Sequence, residues 1–339
     1  MTQGATTTES YTYDPVGNRL SALGVSPYVN NTSNELNSTP NASYTYDYNG
    51  NTTSKTDSTG TTNYTWDFEN RLASVTLPGT GGSVTFKYDP LGRRIQKSFT
   101  QNSTTTTSNY LYDGSNAVAD IDQNATVLAR YAETQNIDEP LVQLRSGTTS
   151  YYEADGLGSV TSLTSGAGAI ANTYTYDSFG KLTASTGSIT NRFQYTAREL
   201  DSETGLYYYR ARYYDPTVGR FLSEDPVHFM AGTNFYRYVN NNPGLLVDPT
   251  GFCPSPPKSP SPWKSICSAL PFVGVFNGLA AGGVALGYLS GGVTTLGLGA
   301  EVGTLAVVSP AAPVFVAGVG VIAASVIACR IAGYGPTHP

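Results

Sequence analysis

Histidine, cysteine and clustered basic charge are scarce in this chain, and each shortage removes a class of function. Only His228 and His338 occur among its 339 residues, so histidine metal sites and Ser-His-Asp catalysis are not expected. The three cysteines form no CxxC pair, which leaves neither a disulfide framework nor a zinc motif. The net charge is -6, and without grouped Lys and Arg to neutralise phosphates, nucleic acid is not an expected partner. The chain is therefore expected to hold no cofactor and no metal.

A signal for export is also missing. The first residues, MTQGATTTESYTYD, include neither the basic segment nor the apolar segment of a secretory signal peptide. They run almost directly into a repeat, which suggests a piece split from a longer parent chain. If the protein leaves the cell, we expect it to use a route that does not depend on a classical signal peptide.

Aromatic-Asp pairs recur along the first part of the chain at intervals of roughly 20 residues. The pairs are Tyr13-Asp14, Tyr46-Asp47, Trp66-Asp67, Tyr88-Asp89, Tyr112-Asp113 and Tyr176-Asp177, with Ala154-Asp155 as a degenerate member and an eroded unit near Tyr131. Such a period is typical of stacked units that cannot bury their apolar faces alone. The sequence therefore predicts a mainly β protein built from a continuous stack of repeats.

Each repeat has the residues of a strand, a turn and a returning strand. In YTYDPVGNRL, Tyr11 and Tyr13 are two apart and share one face of a strand. Asp14, Pro15 and Gly17 suit positions i, i+1 and i+3 of a type I turn. Because the aromatic spacing repeats throughout, we interpret the tyrosines as a ladder packed across the strands of an antiparallel sheet. A sugar-binding surface is the alternative.

Residues 208–251 end at an abrupt change of composition, from Tyr, Asp, Asn and Arg to a Pro/Ser stretch and then a Gly/Ala/Val tail. This segment closely resembles the core element that ends the repeat array of Rhs (rearrangement hotspot) proteins, relatives of the teneurins and of insecticidal toxin-complex shells. YYEADGLGSVTSL, at residues 151–163, resembles the family segment upstream of that core. The resemblance implies a YD-repeat β-shell at residues 1–200, which is a partial, open spiral, and a core at residues 201–251.

In that family the shell encloses a variable C-terminal segment, often a toxin, and cuts it free at a DPxG motif. Asp248, Pro249, Thr250 and Gly251 match the motif here. The resemblance implies a cut near Gly251, at Phe252 or Cys253. Any enzymatic activity of the chain would at most be that of an intramolecular aspartyl autoprotease.

The catalytic pair implied by the resemblance is Asp225, in EDPVHF, with Asp248. Two coupled carboxylates split a peptide bond when one activates water and the other acts as acid. His228 stands where the family has glycine, and Phe252 where it has leucine. The alternative is that both Asp-Pro pairs only start turns, as Asp215-Pro216 is expected to do. Arg212 and Arg220 are expected either to hold the carboxylates ionised or to form structural ion pairs.

Beyond the core, the composition predicts a linker and a hydrophobic region. Residues 252–264 include PSPPKSPSPW, which is typical of a semi-rigid extended linker. Residues 265–339 are a variable hydrophobic region with no charge from 265 to 300 or from 302 to 329. Each of these two runs exceeds the roughly 20 residues that a helix needs to cross a membrane.

Glycine spacing in the first run favours close helix packing in lipid. Gly274, Gly278 and Gly282 fall four residues apart, a spacing that lets helix backbones approach each other. We predict an α-helical hairpin with spans at residues 270–289 and 305–329, and a membrane as partner. The alternative is a Gly/Ala-rich segment buried inside the protein.

Two functions follow from these features and the resemblance. The first is the C-terminal part of an Rhs-type polymorphic toxin, secreted or placed on the cell surface without a signal peptide, that releases a membrane-active segment. Its expected partners are a longer Rhs shell chain or a secretion-system component, and an immunity protein. The second is a structural or adhesive surface protein whose hydrophobic region is only a membrane anchor. An inert gene remnant is a third interpretation.

Overall fold

The computed structural model describes residues 2–3, 6–230, 232–252 and 254–257, together with four short strands further on. The chain divides into two units, Met1–Ser259 and Pro260–Pro339. In the first unit the strands are, in chain order, β1 Thr2–Gln3, β2 Thr6–Thr7, β3 Tyr11–Tyr13, β4 Arg19–Ala22, β5 Val29–Asn30, β6 Leu36–Thr39, β7 Ala42–Tyr46, β8 Thr52–Asp57, β9 Gly60–Trp66, β10 Leu72–Thr76, β11 Ser83–Tyr88, β12 Arg94–Gln101, β13 Thr104–Asp113, β14 Asn116–Ile121, β15 Val127–Glu133, β16 Pro140–Arg145, β17 Thr148–Ala154, β18 Val160–Ser165, β19 Ile170–Tyr176, β20 Leu182–Thr186, β21 Glu199–Asp201, β22 Leu206–Tyr209, β23 Arg212–Asp215 and β24 Arg220–Phe221.

Strands β5 to β20 form one sixteen-stranded sheet in which each strand pairs antiparallel with its neighbours in sequence. Side chains along a strand point alternately to its two faces. This arrangement buries one face of each strand and leaves the other less buried. In β15, for example, Ala129 and Tyr131 are buried while Arg130 is exposed. The two end strands of the sheet, β5 and β20, each have one partner strand. The sheet is thus open, which confirms the predicted mainly β, antiparallel architecture.

The aspartates of six predicted pairs form the same turn. In each, the Asp Oδ1 atom accepts the backbone N–H groups two and four residues later, at 2.7 to 3.0 Å. The residue at i+3 also donates its N–H to the Asp carbonyl, as in Gly92 to Asp89 at 2.9 Å. Within the sixteen-stranded sheet these turns fall at one edge, because each connects an odd-numbered strand to the even-numbered strand that follows it. The six are Asp14, Asp47, Asp67, Asp89, Asp155 and Asp177.

Three other turns show where the local pattern misleads. Asp113 pairs directly with Asn116 across a two-residue turn, so this member of the series does not form the repeated turn. Asn31 does form it, with its amide oxygen accepting the N–H groups of Ser33 and Glu35. Asp122 also forms it, at the opposite edge of the sheet.

In five repeats the aromatic ring is hydrogen-bonded to the repeat before it. The side-chain hydroxyl or indole N–H donates, at 2.7 to 3.1 Å, to the carbonyl of the first residue after the preceding turn. Trp66 takes the place of tyrosine and keeps the hydrogen bond, because its Nε1–H donates to the Thr52 carbonyl. These bonds confirm the tyrosine ladder. The donors are Tyr46, Trp66, Tyr88, Tyr112 and Tyr176.

Strands β21 to β24 form a separate four-stranded antiparallel sheet whose inner strands are buried along their whole length. On one face, Tyr208 and Tyr213 pack in a cluster with Phe86 of β11. On the other, Tyr209 and Tyr214 pack in a cluster that includes three further buried aromatic residues, which are Phe179, Tyr195 and Tyr238. This small sheet is therefore covered on both sides, and it carries the candidate site. Short 3₁₀ turns occur at Tyr195–Ala197, His228–Met230 and Val239–Asn241.

Buried ion pairs connect the two sheets. Arg94, at the start of β12, contacts Glu199 at 2.7 Å and Asp201 at 2.5 Å. Asp120 of β14 contacts Arg192, in the segment that leads from the large sheet to the small one, at 2.5 Å. Because these pairs lie where the two sheets meet, they fix the position of the core against the repeats.

In the second unit the described residues are the strands β25 Gly287–Leu289, β26 Gly292–Thr294, β27 Thr304–Ser309 and β28 Ala312–Ala317, which pair as two hairpins. Their backbone is extended. The rest of the helical hairpin predicted at residues 270–289 and 305–329 lies outside the described residues, so it stays a prediction. Nowhere in the part of the chain that the structure describes is there a helix with the length and hydropathy of a membrane span.

Candidate functional site: two carboxylates on one arginine

Arg212 joins the two predicted carboxylates. Its Nη2 atom lies 2.9 Å from Asp225 Oδ2 and 3.4 Å from Asp248 Oδ2. All three side chains are almost fully buried, with 2 or 3% of each residue exposed. Arg212 begins β23, Asp225 follows β24, and Asp248 follows the 3₁₀ turn at Val239–Asn241. The structure thus brings together residues that are far apart in sequence.

The same guanidinium also holds the predicted cleavage segment. Arg212 Nε donates to the carbonyl of Gly251 at 2.6 Å. The N–H groups of Gly251 and Phe252 donate to Asp248 Oδ1 at 2.9 and 3.1 Å. The Gly251–Phe252 peptide group is therefore fixed at its carbonyl by the arginine and at its N–H by one of the two carboxylates.

Local backbone geometry requires a glycine at position 251. Gly251 has a φ of +75°, a conformation that side chains other than glycine adopt at a cost. A Cβ atom there would overlap the carbonyl oxygen of Tyr209. The hairpin between β22 and β23 also bonds to the motif, because Ala211 N–H donates to the Thr250 carbonyl at 3.2 Å and Arg210 donates to the Pro249 carbonyl.

The electrostatics of Asp225 differ from those of an ordinary aspartate. Burial raises the pKa of Asp225 to about 7, and the charge of Asp248 adds to that rise. Arg212 and the N–H group of Val227, which donates to Asp225 Oδ1 at 3.0 Å, oppose it. Near neutral pH this carboxyl is therefore present in both protonation states, as a general acid–base group needs to be.

Arg220, which the sequence offered as a second partner, lies elsewhere. Its Nη1 donates to Asn30 Oδ1 at 3.0 Å, and its guanidinium stacks 4.7 Å from the ring of Tyr236. Asp215, in contrast, forms the turn predicted for it, since its Oδ1 accepts the N–H of Thr217 at 2.8 Å.

His228 adopts the conformation that its motif position requires. Its φ is +49°, in the left-handed region that favours glycine, and its N–H donates to the Asp225 carbonyl at 2.8 Å. Its side chain is 65% exposed. The turn after Asp225 therefore forms with histidine in place of glycine, at a cost in backbone strain.

Two contacts of the site carry no signal in the sequence. Arg212 Nη1 donates to the Phe235 carbonyl at 2.9 Å, and the guanidinium stacks 3.5 Å from the ring of Phe221. Every residue has a backbone carbonyl, so the sequence does not indicate which one accepts the hydrogen bond. These contacts hold the guanidinium in one orientation between the two carboxylates.

Comparisons with known proteins agree with this architecture. Residues 1–244 match the family model described as Teneurin YD-shell. The tRNA3(Ser)-specific nuclease WapA of Bacillus spizizenii is 38% identical over 260 residues, which are 71% of this chain and 11% of the relative. The double-stranded DNA deaminase toxin A of Burkholderia cenocepacia is 28% identical over 245 residues, 63% of this chain and 16% of the relative.

Among solved structures, the crystal structure of TcdB2-TccC3-Cdc42 superposes with a TM-score of 0.51 at 22% identity, covering 72% of this chain and 15% of that chain. At this identity the likeness shows the fold alone. The chain spans between a tenth and a sixth of the curated relatives named above. With the family model covering most of its length and the repeats, the turn and the core all present, the chain belongs to the Rhs/YD-repeat family of YD-shell proteins.

Proposed function

We propose that this chain is the C-terminal shell and core of an Rhs-type toxin, and that the core cuts the chain near Gly251 to free the segment that follows. One observation carries the proposal. A single buried guanidinium contacts Asp225, Asp248 and the carbonyl of Gly251 at once. The third contact places the arginine on the peptide group that the proposal assigns to cleavage.

The chemistry assigned to the site is hydrolysis of the peptide bond after Gly251. Arg212 Nε, already at the carbonyl oxygen, would stabilise the negative charge that develops there as water attacks the carbonyl carbon. Asp225, with its pKa near 7, would take a proton from that water and return it to the leaving amine of Phe252. Asp248 would orient the peptide group through the N–H of Phe252. The products are a carboxylate at Gly251 and a free amine.

The freed segment would act on a membrane. The relatives support a shared shell with variable activities, since one is named a tRNA nuclease and another a DNA deaminase toxin. Residues 265–339 contain a single acidic residue and two long uncharged runs, a composition suited to lipid and not to either of those enzymes. A longer shell chain, a secretion-system component and an immunity protein are the further partners that this proposal requires.

Expression of the full chain tests the cleavage. We expect two fragments on a denaturing gel and a new terminus near Phe252 by mass spectrometry, which would also show whether the bond before or after Phe252 is cut. Asp225→Asn and Asp248→Asn should each leave the chain intact, because the two carboxylates act through one arginine. Asp215→Asn is the matched control, since Asp215 is buried, precedes a proline and lies in the same core; it should still be cut. An uncut chain without substitutions would contradict the proposal.

An adhesive surface protein is the second candidate, and one feature of the shell favours it. Tyr48 and Phe68 are large exposed aromatic residues that follow the aspartates of neighbouring repeat turns, so they lie at the same edge of the sheet. Exposed aromatic groups in a row are typical of binding surfaces. If this is their role, the chain stays uncut, binds a glycan or protein partner, and loses that binding in a Tyr48→Ser, Phe68→Ser variant.

A further inference from the structure

Three arginines meet in one cleft where the N-terminal strands contact the core. Arg19, Arg220 and Arg237 line it. Four asparagines share the lining, namely Asn18, Asn30, Asn234 and Asn241. No carboxylate lines this cleft, and within the described ranges none lies within ion-pair distance of the three guanidinium groups.

Two of these arginines have polar atoms that the protein does not satisfy. The Nε atoms of Arg19 and Arg220 are buried and have no hydrogen-bond partner among the described residues. Arg19 is only 9% exposed. A buried cation without an anionic partner costs free energy, and a native protein retains such a group where it has a reason to.

Aromatic rings offset part of that cost without neutralising the charge. The guanidinium of Arg19 lies 4.2 Å from the ring of Phe179 and 4.4 Å from that of Tyr11. Burial lowers the pKa of Arg220, the neighbouring Arg19 contributes to that lowering, and nearby tyrosines oppose it. The cleft therefore holds positive charges that repel one another.

Two glycines allow the guanidinium groups to come this close to the backbone. A Cβ at Gly219 would lie 2.5 Å from Arg19 Nη2, and one at Gly17 would lie 3.0 Å from Arg237 Nη1. Both glycines have a positive φ, +71° and +86°. Larger residues at either position would push an arginine out of the cleft.

We propose that this cleft binds a small oxyanion, in the class of phosphate or a carboxylate, between Arg19, Arg220 and Arg237. The planar guanidinium matches the paired oxygens of both groups and is the preferred partner for them in proteins. The lining asparagines donate to acceptors of the protein itself, so the three guanidinium groups are the groups that would bind the anion. The site is distinct from the Asp225 and Asp248 pair, and it does not depend on cleavage, because each of its residues precedes Gly251.

Calorimetric titration of the full chain tests this, with inorganic phosphate and, separately, acetate, at an ionic strength held constant with chloride. We expect saturable binding of at least one of the two, and the stronger ligand identifies which oxyanion the cleft prefers. Arg237→Gln, the partly exposed member, should weaken binding about tenfold or more, since it removes a charge-assisted hydrogen bond. Arg130→Gln, on the exposed face of β15, is the matched control and should bind like the unaltered chain.

Circular dichroism of each variant would confirm that it is folded before titration. Gly17→Ala provides a second, charge-neutral perturbation, because its Cβ would displace Arg237 and should weaken binding without removing an arginine. The absence of saturable heat with either anion, up to on the order of 10 mM, would overturn the proposal. So would equal binding by Arg237→Gln and the control.

Discussion

Replacing Arg94 with methionine should reveal how strongly the core is held against the repeats. Arg94 is 1% exposed and belongs to β12 of the large sheet. It contacts Glu199 and Asp201 of the small sheet at 2.7 and 2.5 Å, and the hydroxyl of Tyr213 at 3.0 Å. Methionine keeps most of the side-chain volume but leaves the two buried carboxylates without the cation that they share.

The expected loss is about 3–5 kcal/mol in the free energy of unfolding, the range for breaking a buried ion pair. It should not exceed that range, because each carboxylate keeps a second cation. Arg192 Nη2 remains 3.5 Å from Glu199, and Lys97 remains 3.2 Å from Asp201. The loss should also depend on pH. Burial alone would raise the pKa of Glu199, but Arg192 and Arg94 lower it to about 2.

A carboxyl whose folded pKa is lowered contributes stability above its ordinary pKa of about 4.5 and loses it as pH falls towards 2. The difference between Arg94→Met and the unaltered chain should therefore be largest near neutral pH and narrow below about pH 4. Urea unfolding at several pH values measures it. Arg93→Met is the control, because Arg93 is partly exposed and pairs with Asp89 at the surface; it should cost less than about 1 kcal/mol. Equal losses in the two variants would refute the reasoning.

Three further predictions follow from the ladder, the site and the tail. Tyr88→Ala should cost about 2–4 kcal/mol by urea unfolding, whereas Tyr88→Phe, which loses only the 2.7 Å bond to the Leu72 carbonyl, should cost about 1 kcal/mol. Because burial raises the pKa of Asp225 to about 7, its contribution to stability should be lost as pH rises from about 4 to 7; thermal unfolding of Asp225→Asn should show a smaller loss over this range than the unaltered chain, and the part that remains is expected from Glu133, whose pKa burial also raises to about 7. Residues 264–339 should cause leakage from dye-loaded vesicles, and Gly278→Leu with Gly282→Leu should reduce leakage while membrane partitioning persists; leakage unaffected by these changes would show that the glycines do not organise the assembly.

The repeats were predictable because each depends on a contact that is local in sequence. An aspartate that accepts N–H groups two and four residues later forms its turn wherever the chain places it. The same logic explains the errors. Asn31 and Asp122 form the turn without an aromatic-Asp pair, so the aromatic signal missed them. Asp113 has the pair but is followed by a two-residue hairpin, and the shorter connection prevents the turn.

The candidate site was predictable only in part, because its contacts are not local. The two aspartates were found by their motifs, and Arg212 was considered as their partner. Its bonds to the Gly251 and Phe235 carbonyls could not be found, since any backbone carbonyl is an equivalent acceptor. The cleft of arginines had no sequence signal at all, because Arg19 comes from the first repeat while its neighbours come from the core.

The two Asp-Pro turns of the core occupy equivalent motif positions but tolerate a side chain differently. Both have a positive φ at the fourth residue, +49° at His228 and +75° at Gly251. His228 projects into solvent, so a β-carbon there costs only the strain of a left-handed backbone, on the order of 1 kcal/mol. A β-carbon at Gly251 would meet the Tyr209 carbonyl and displace the peptide group that Arg212 holds. Histidine therefore replaces the glycine of the family pattern at position 228, where there is room for a side chain. Glycine is present at position 251, where the proposed chemistry needs the backbone close to Arg212.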